Sequence, residues 1–146
     1  KADVGPRQDA PSPREVSAEF LTLEDVLEIH RLQLDRFGGG DGLRDLALLE
    51  SAVAQPAATF GGAYLHADLF EMAAAYLFYV VSNHPFIDGN KRTGLLAALV
   101  FLDLNGVSLL GETDRFYELT IGVASGSLDK QAVTRGLRAA AERSGG

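Results

Sequence analysis

Residues 68–105 read DLFEMAAAYLFYVVSNHPFIDGNKRTGLLAALVFLDLN, and the change of texture inside that stretch decides the fold. Asp68 to Asn83 and Asn90 to Asn105 are apolar on almost every face and long enough for about four helical turns each. A helix with no polar face has to be enclosed by other elements, so the pair predicts the middle of a helical bundle. Between them lies HPFIDGNKRT, residues 84–93, which places a histidine, a carboxylate, an amide and two cations within ten positions. Met72 to Val81 and Leu95 to Leu102 flank it with apolar sequence. Its polar groups are therefore presented on the connection between two buried elements.

Working outward, Thr22 and Asp25 form a capping pair, and Leu23, Val26, Leu27, His30, Leu34 and Phe37 recur at spacings of three and four. That predicts an amphipathic helix, ended by Gly38, Gly39 and Gly40. A second helix is expected from Asp45 to Gln55 with Leu46, Leu49 and Val53 on one face. Thr59 to Leu65 mixes β-formers with turn residues and predicts a short extended or hairpin excursion. Asn105 and Gly106 supply a stop, after which Glu112 to Ala124 and Asp129 to Glu142 read as peripheral helices. There is no strand series and no internal repeat, so the fold class is all-α with one small β excursion.

Residues 1–17 carry three prolines and scattered charges without an apolar period, and read as a flexible tail or the end of a linker. Residues 18–146 then form one domain, and the opening Lys1 in place of Met reads as a processed or truncated start. A composition 47% hydrophobic and 23% charged is that of an ordinary globule. The apolar runs are too short to span a membrane and no secretory signal opens the chain, so no membrane partner is expected and the default address is cytoplasmic. Zero cysteines exclude thiol chemistry, and three separated histidines argue against a zinc cluster. The net charge of -7 argues against direct nucleic-acid binding, which needs a basic surface to displace counterions.

The loop has the parts of a phosphate site. Pro85 ends the preceding helix geometry, Asp88 and Gly89 make a turn, and Gly89 or Asn90 opens the next helix. Free backbone N–H groups at a helix start, with the positive end of its dipole, attract phosphate. Lys91 and Arg92 add charge where cations otherwise oppose the dipole, which itself points to a bound anion. Asp88 offers oxygen to a Mg²⁺ carrying a nucleotide, and His84 is the side chain suited to take a proton from a hydroxyl nucleophile. Each has a plainer reading: a histidine after an apolar helix caps it, Asp-Gly-Asn is ordinary turn chemistry, and Lys-Arg is a solvated first turn. Their concentration in one loop favours phosphate transfer. His30 falls on an apolar stripe and reads as packing, His66 lies in a loop without an evident partner, and Arg44 and Asp45 read as a pair or a helix cap.

HPFIDGNKRT resembles the active loop of the Fic/Doc family, in which a histidine, Phe, an acidic residue, Gly or Ala, Asn and Arg lie between two central helices. The likeness extends to FGG at 37–39, GLRD at 42–45, LESA at 49–52, TFG at 59–61, DLFE at 68–71 and DLNG at 103–106, and is greatest to the death-on-curing (Doc) toxin branch. It implies a Fic/Doc-like (Fido) helical bundle with a short β-hairpin flap. It also implies His84 as the catalytic residue, Asp88 as metal ligand, and Gly89, Asn90, Lys91 and Arg92 as the nucleotide and phosphate site. Phe60, Gly61 and Tyr64 would form a flap on which a target docks as an added strand, though Phe60 and Tyr64 serve equally well as lids on the core.

Fic proteins typically transfer AMP and carry a glycine after the Asn and a second arginine three residues after the first; here those positions are Lys91 and Leu95. The Doc branch shares this departure. It implies a toxin that uses ATP and Mg²⁺ as a protein kinase on a Ser/Thr hydroxyl of an elongation factor Tu-like translation factor, arresting translation. The inhibitory Ser/Thr with Glu four residues later, known in many Fic proteins, is missing from both terminal segments, so a cognate antitoxin acting in trans is expected. The alternatives are a protein AMPylator using the same residues, and a catalytically idle nucleotide-binding module.

Overall fold

The computed structural model describes residues 17–144, so the tail expected at 1–17 lies, apart from Ser17, outside the described residues. The first helix, α1 (Leu23–Phe37), begins where the sequence places it. The Thr22 hydroxyl accepts from the Asp25 N–H at 3.0 Å, and the Asp25 carboxylate accepts from the Thr22 N–H at 2.9 Å. Two orphan donors of the helix start are satisfied by this reciprocal box. Helix α2 (Leu46–Ala54) is capped by Asp45, whose carboxylate accepts from Leu48 N–H at 3.0 Å. Its buried side is Leu49 and Ala52, whereas Leu46 is 47% exposed, so the expected face through Leu46 is corrected. Leu46 is the first residue of the helix, a turn ahead of Leu49, and the packing against α3 covers Leu49 and Ala52 but not that end.

A turn of 3₁₀ helix at Gln55–Ala57 leads into a two-stranded antiparallel hairpin, β1 (Thr59–Phe60) and β2 (Ala63–Tyr64). Gly61 and Gly62 connect them with φ of 60° and 84°, the left-handed pair that a two-residue hairpin turn requires. Phe60 stands 79% exposed and is no lid on the core. Tyr64 does cover it, leaning on Phe20 with ring centroids 5.6 Å apart.

Helix α3 (Leu69–Asn83) starts at Asp68, which accepts from Glu71 N–H at 2.9 Å. Met72 through Leu77 are each fully buried, so every face of this helix is covered. It packs most extensively on α4 (Asn90–Leu104), and also on α2, α5 (Thr113–Ser125) and α6 (Lys130–Ser144). A 3₁₀ turn at Leu110–Glu112 precedes α5. Gly94 lets α3 and α4 close: a Cβ there would sit 3.1 Å from Val81 Cγ2 and 3.2 Å from the Leu77 carbonyl oxygen. That close approach sets the two ends of the loop between them. No helix among the described residues is long and apolar enough to cross a membrane.

The segment before α1 is held by polar contacts to this central pair. Leu21 N–H donates to the Tyr76 hydroxyl at 2.8 Å, and the Asn105 side chain bonds both backbone groups of Glu19. Burial pushes the Tyr76 phenol up to about 12; the Leu21 N–H partly opposes this and the Asp25 carboxylate adds to it. Between the ordinary tyrosine range near 10 and that value the unfolded chain loses a proton that the folded chain keeps, so stability falls as pH rises, by about 1.4 kcal/mol per pH unit from this group. Denaturant midpoints measured from pH 9 to 12 should therefore decline less steeply in Tyr76→Phe than in the native chain. Parallel slopes would refute the assignment.

Candidate active site

Helix α3 ends in His84, which takes the left-handed conformation (φ 53°, ψ 54°) and is the one non-glycine residue with positive φ among those described. For an L-residue this costs about 1–2 kcal/mol, so surrounding contacts have to hold it. The chain then turns Pro85 and Phe86 into the core and brings Ile87 and Asp88 back to the surface.

Asn90, only 4% exposed, braces that turn. Its Oδ1 accepts from Phe86 N–H at 3.0 Å, while its Nδ2 donates to the Phe86 carbonyl at 3.0 Å and lies 3.2 Å from His84 Nδ1. The Phe86 groups fix which end of the amide is which, since a flipped amide would oppose donor to donor and acceptor to acceptor. His84 Nδ1 is therefore the acceptor of that contact. With its side chain fully engaged inside the loop, Asn90 faces outward only through its backbone.

The segment between α1 and α2 forms the other wall. Arg44 Nε donates to the His84 carbonyl at 2.6 Å and its second guanidinium nitrogen donates to the Asn83 carbonyl at 2.9 Å. Both backbone N–H groups of Arg44 and Asp45 reach the Pro85 carbonyl, at 2.7 and 3.0 Å, and Ile87 N–H reaches the Gly42 carbonyl at 3.0 Å. Arg44 thus binds the orphan carbonyls at the end of α3 and locks the strained His84. Asp45 caps α2, as one of its two readings had it.

His30 also serves the loop. Its ring stacks on Phe86 at 3.7 Å and 6°, and its Nε2 lies 2.8 Å from the Asp88 carbonyl oxygen. A carbonyl only accepts, so that nitrogen carries the proton. The Asp88 carboxylate accepts from Gly89 N–H at 2.9 Å and Gly40 N–H at 3.2 Å. A Cβ at Gly39 would stand 2.9 Å from Asp88 Oδ2, so the glycine run both ends α1 and makes room for this carboxylate.

Arg92 lies between two aromatic faces, 3.8 Å from the Phe37 centroid and 4.5 Å from that of Tyr117. Among the described residues no hydrogen-bond or carboxylate partner engages its guanidinium. Stacking orients the planar fork while leaving its donors free. Asp88 to Lys91 form a ridge between two hollows: one of about 290 Å³ bounded by Phe37, Gly39, Arg92 and Tyr117, and one of about 350 Å³ bounded by Ser82, His84 and Val123. Gly89 is the N-cap of α4 with φ 81°, so the unpaired N–H groups of the first turn open onto this ridge.

A profile of the Fic/DOC family matches residues 20–102. The chain belongs to the Fic/Doc family. It is 40% identical over 117 residues to Toxin Doc of Mycolicibacterium smegmatis, covering 79% of this chain and 88% of that protein. It is 34% identical over 118 residues to Protein kinase doc of Escherichia phage P1, covering 81% and 92%.

Within the Fic/Doc loop, His84, Asp88, Gly89, Asn90, Lys91 and Arg92 are contiguous by sequence and the fold gathers Arg44, His30, Phe37, Gly39 and Tyr117 around them. Those five were not expected at the site. His30, a polar residue on an apolar stripe, was the one local signal; the rest come from distant segments. The hairpin residues Phe60, Gly61 and Tyr64 make no hydrogen bond to the loop among those described. Arg44 is exposed, so Arg44→Ala should lower the global unfolding free energy by only about 1.5–2 kcal/mol. It should nevertheless raise amide exchange at Phe86, Ile87 and Asp45 at least tenfold. Unchanged protection there would show that Arg44 does not hold the loop.

Proposed function

We propose that this chain is a Doc-like toxin that phosphorylates a Ser or Thr hydroxyl of an elongation factor Tu-like translation factor in the cytoplasm, arresting translation until a cognate antitoxin binds it. The observation that carries the reading is an intact, exposed His84 beside a braced helix N-terminus whose first turn carries Arg92, oriented by aromatic rings and without a hydrogen-bond or carboxylate partner among the described residues. The names of its relatives, Toxin Doc and Protein kinase doc, support it.

In this reading the target hydroxyl gives its proton to His84 Nε2 as its oxygen bonds to the γ-phosphorus of ATP. The bond from that phosphorus to the β–γ bridging oxygen breaks and ADP leaves. The backbone N–H groups of Asn90 and Lys91, with that of Gly89 once it leaves the Asp88 carboxylate, and the side chains of Lys91 and Arg92, neutralise the charge that spreads over the phosphoryl oxygens. To accept at Nε2 the ring must carry its own proton on Nδ1, giving up the 3.2 Å contact from Asn90. A long neutral hydrogen bond is worth about 1 kcal/mol, so the base tautomer lies within easy reach. Asp88 is exposed and each of its oxygens accepts a single N–H, leaving lone pairs that fit a Mg²⁺ otherwise bound by nucleotide phosphates and water. When bound, that ion adds positive charge to the phosphates.

Lys91 lines both hollows where AMP-transferring relatives have glycine, and Leu95 is buried where they have a second arginine. One observation favours AMP transfer as the second reading: Arg36 of α1 borders, with Arg92 and Leu95, a small hollow of about 90 Å³, so another guanidinium stands near that position.

Incubating the chain with lysate and ATP labelled at the α or the γ position separates these readings. The γ label should reach a protein and the α label should not. His84→Ala should reduce transfer by at least about a hundredfold, in the range lost with a general base. Transfer of the α label by the native chain would establish AMP transfer instead, and transfer of neither would leave an idle binding module.

A further inference from the structure

A second cavity, of about 270 Å³, opens between the start of α3 and one face of α6. Glu71 borders it, and Glu71 precedes His84 by 13 residues, so the helix rise puts this cavity about 20 Å from the loop. A nucleotide phosphate held by Gly89 to Arg92 does not reach it.

Lys130, Arg135 and Arg138 project from α6 towards one side. Arg138 is paired with Asp68 at 2.5 Å, Lys130 rests on Tyr79, 3.4 Å from its hydroxyl and 5.2 Å from its ring centroid, and Arg135 has no partner among the described residues. Glu71 is engaged with Ala67 N–H at 3.0 Å. His66 closes the other side at 5% exposure, and its Nε2 has no hydrogen-bond partner among the described residues. The Gln55 backbone acts on the ring in the sense that favours a proton, as a carbonyl oxygen does, and with Nε2 unpartnered the nitrogen it favours is Nδ1. Nε2 is then a bare acceptor. Burial first, and the Lys130 charge second, hold the imidazole below its ordinary range, against the opposing effects of Glu71 and Gln55, so the ring stays neutral. An unpaired buried acceptor beside three cations asks for a ligand with ionised oxygens and one O–H.

We propose that this cavity binds inorganic phosphate, its ionised oxygens on Lys130, Arg135 and Arg138 and its remaining P–OH donated to His66 Nε2. Inorganic phosphate keeps at least one proton at neutral pH. Sulfate has none, and a phosphate monoester, whose second ionisation lies near 6, has lost most of its own.

The test is an amide-resolved NMR titration of the chain at pH 7 and constant ionic strength with inorganic phosphate, sulfate or phosphoserine. Phosphate should shift His66 and residues 130–135 saturably, with sulfate and phosphoserine at least tenfold weaker. Arg135→Gln, at an exposed position, should weaken phosphate at least tenfold by removing a charge-assisted bond. His66→Phe, which keeps an aromatic ring there and removes the acceptor, should abolish the preference over sulfate; Arg135→Gln carries the test if that variant perturbs the whole spectrum. Shifts confined to Gly89–Arg92, equal affinity for phosphate and sulfate in the native chain, or unchanged affinity in Arg135→Gln would each overturn the proposal.

Discussion

The turn at Phe86 that carries the loop's polar groups is closed by the Asn90 side chain. By accepting from Phe86 N–H and donating to the Phe86 carbonyl, it closes the turn from within and satisfies two backbone groups that the buried Phe86 would otherwise leave unpaired. An unsatisfied buried backbone group costs about 1–3 kcal/mol, so this brace decides whether the turn exists. It also ties the start of α4 to the end of α3, which puts His84 beside the ridge where the free N–H groups of Asn90 and Lys91 open. Arg44 and His30 act on the same turn from outside, one holding the carbonyls of Asn83 and His84 and the other that of Asp88.

A chain of net charge -7 that is proposed to bind ATP needs its positive charge concentrated. Lys91 lies on the ridge, Arg92 borders the hollow beside it, and Arg36 stands nearby on α1. Exposed charges farther than about 8–10 Å are largely screened at physiological salt, so the local cluster outweighs the distant carboxylates. The aromatic clamp on Arg92 matters for the same reason: a guanidinium already oriented by Phe37 and Tyr117 loses little freedom when it meets a phosphate.

What was legible in the sequence was local. The capping box at Thr22, the fully apolar central helices, the glycine turn at Gly61 and Gly62 and the polar connection at His84 to Thr93 are all encoded within a few residues, and the fold follows them. The second helix shows the limit, because Leu46 and Leu49 are equally apolar and only the position of α3 decides that Leu49 is buried. Arg44 was unreadable as the clamp on His84, since the carbonyls it binds lie 39 and 40 positions away. Likewise His30 reads as packing, and it does pack, yet its remaining nitrogen reaches the Asp88 carbonyl across 58 positions. Such roles arise only when the bundle closes.

Whether the Asn90 brace creates the proposed phosphate cradle is decided by titrating Asn90→Ala with ATP and Mg²⁺ while following backbone amide resonances. The amides of α5 and α6 should stay at their native positions, reporting an intact bundle, while nucleotide affinity falls at least tenfold and the shifts at Gly89 to Arg92 disappear. Native affinity with native shifts in that variant would contradict it.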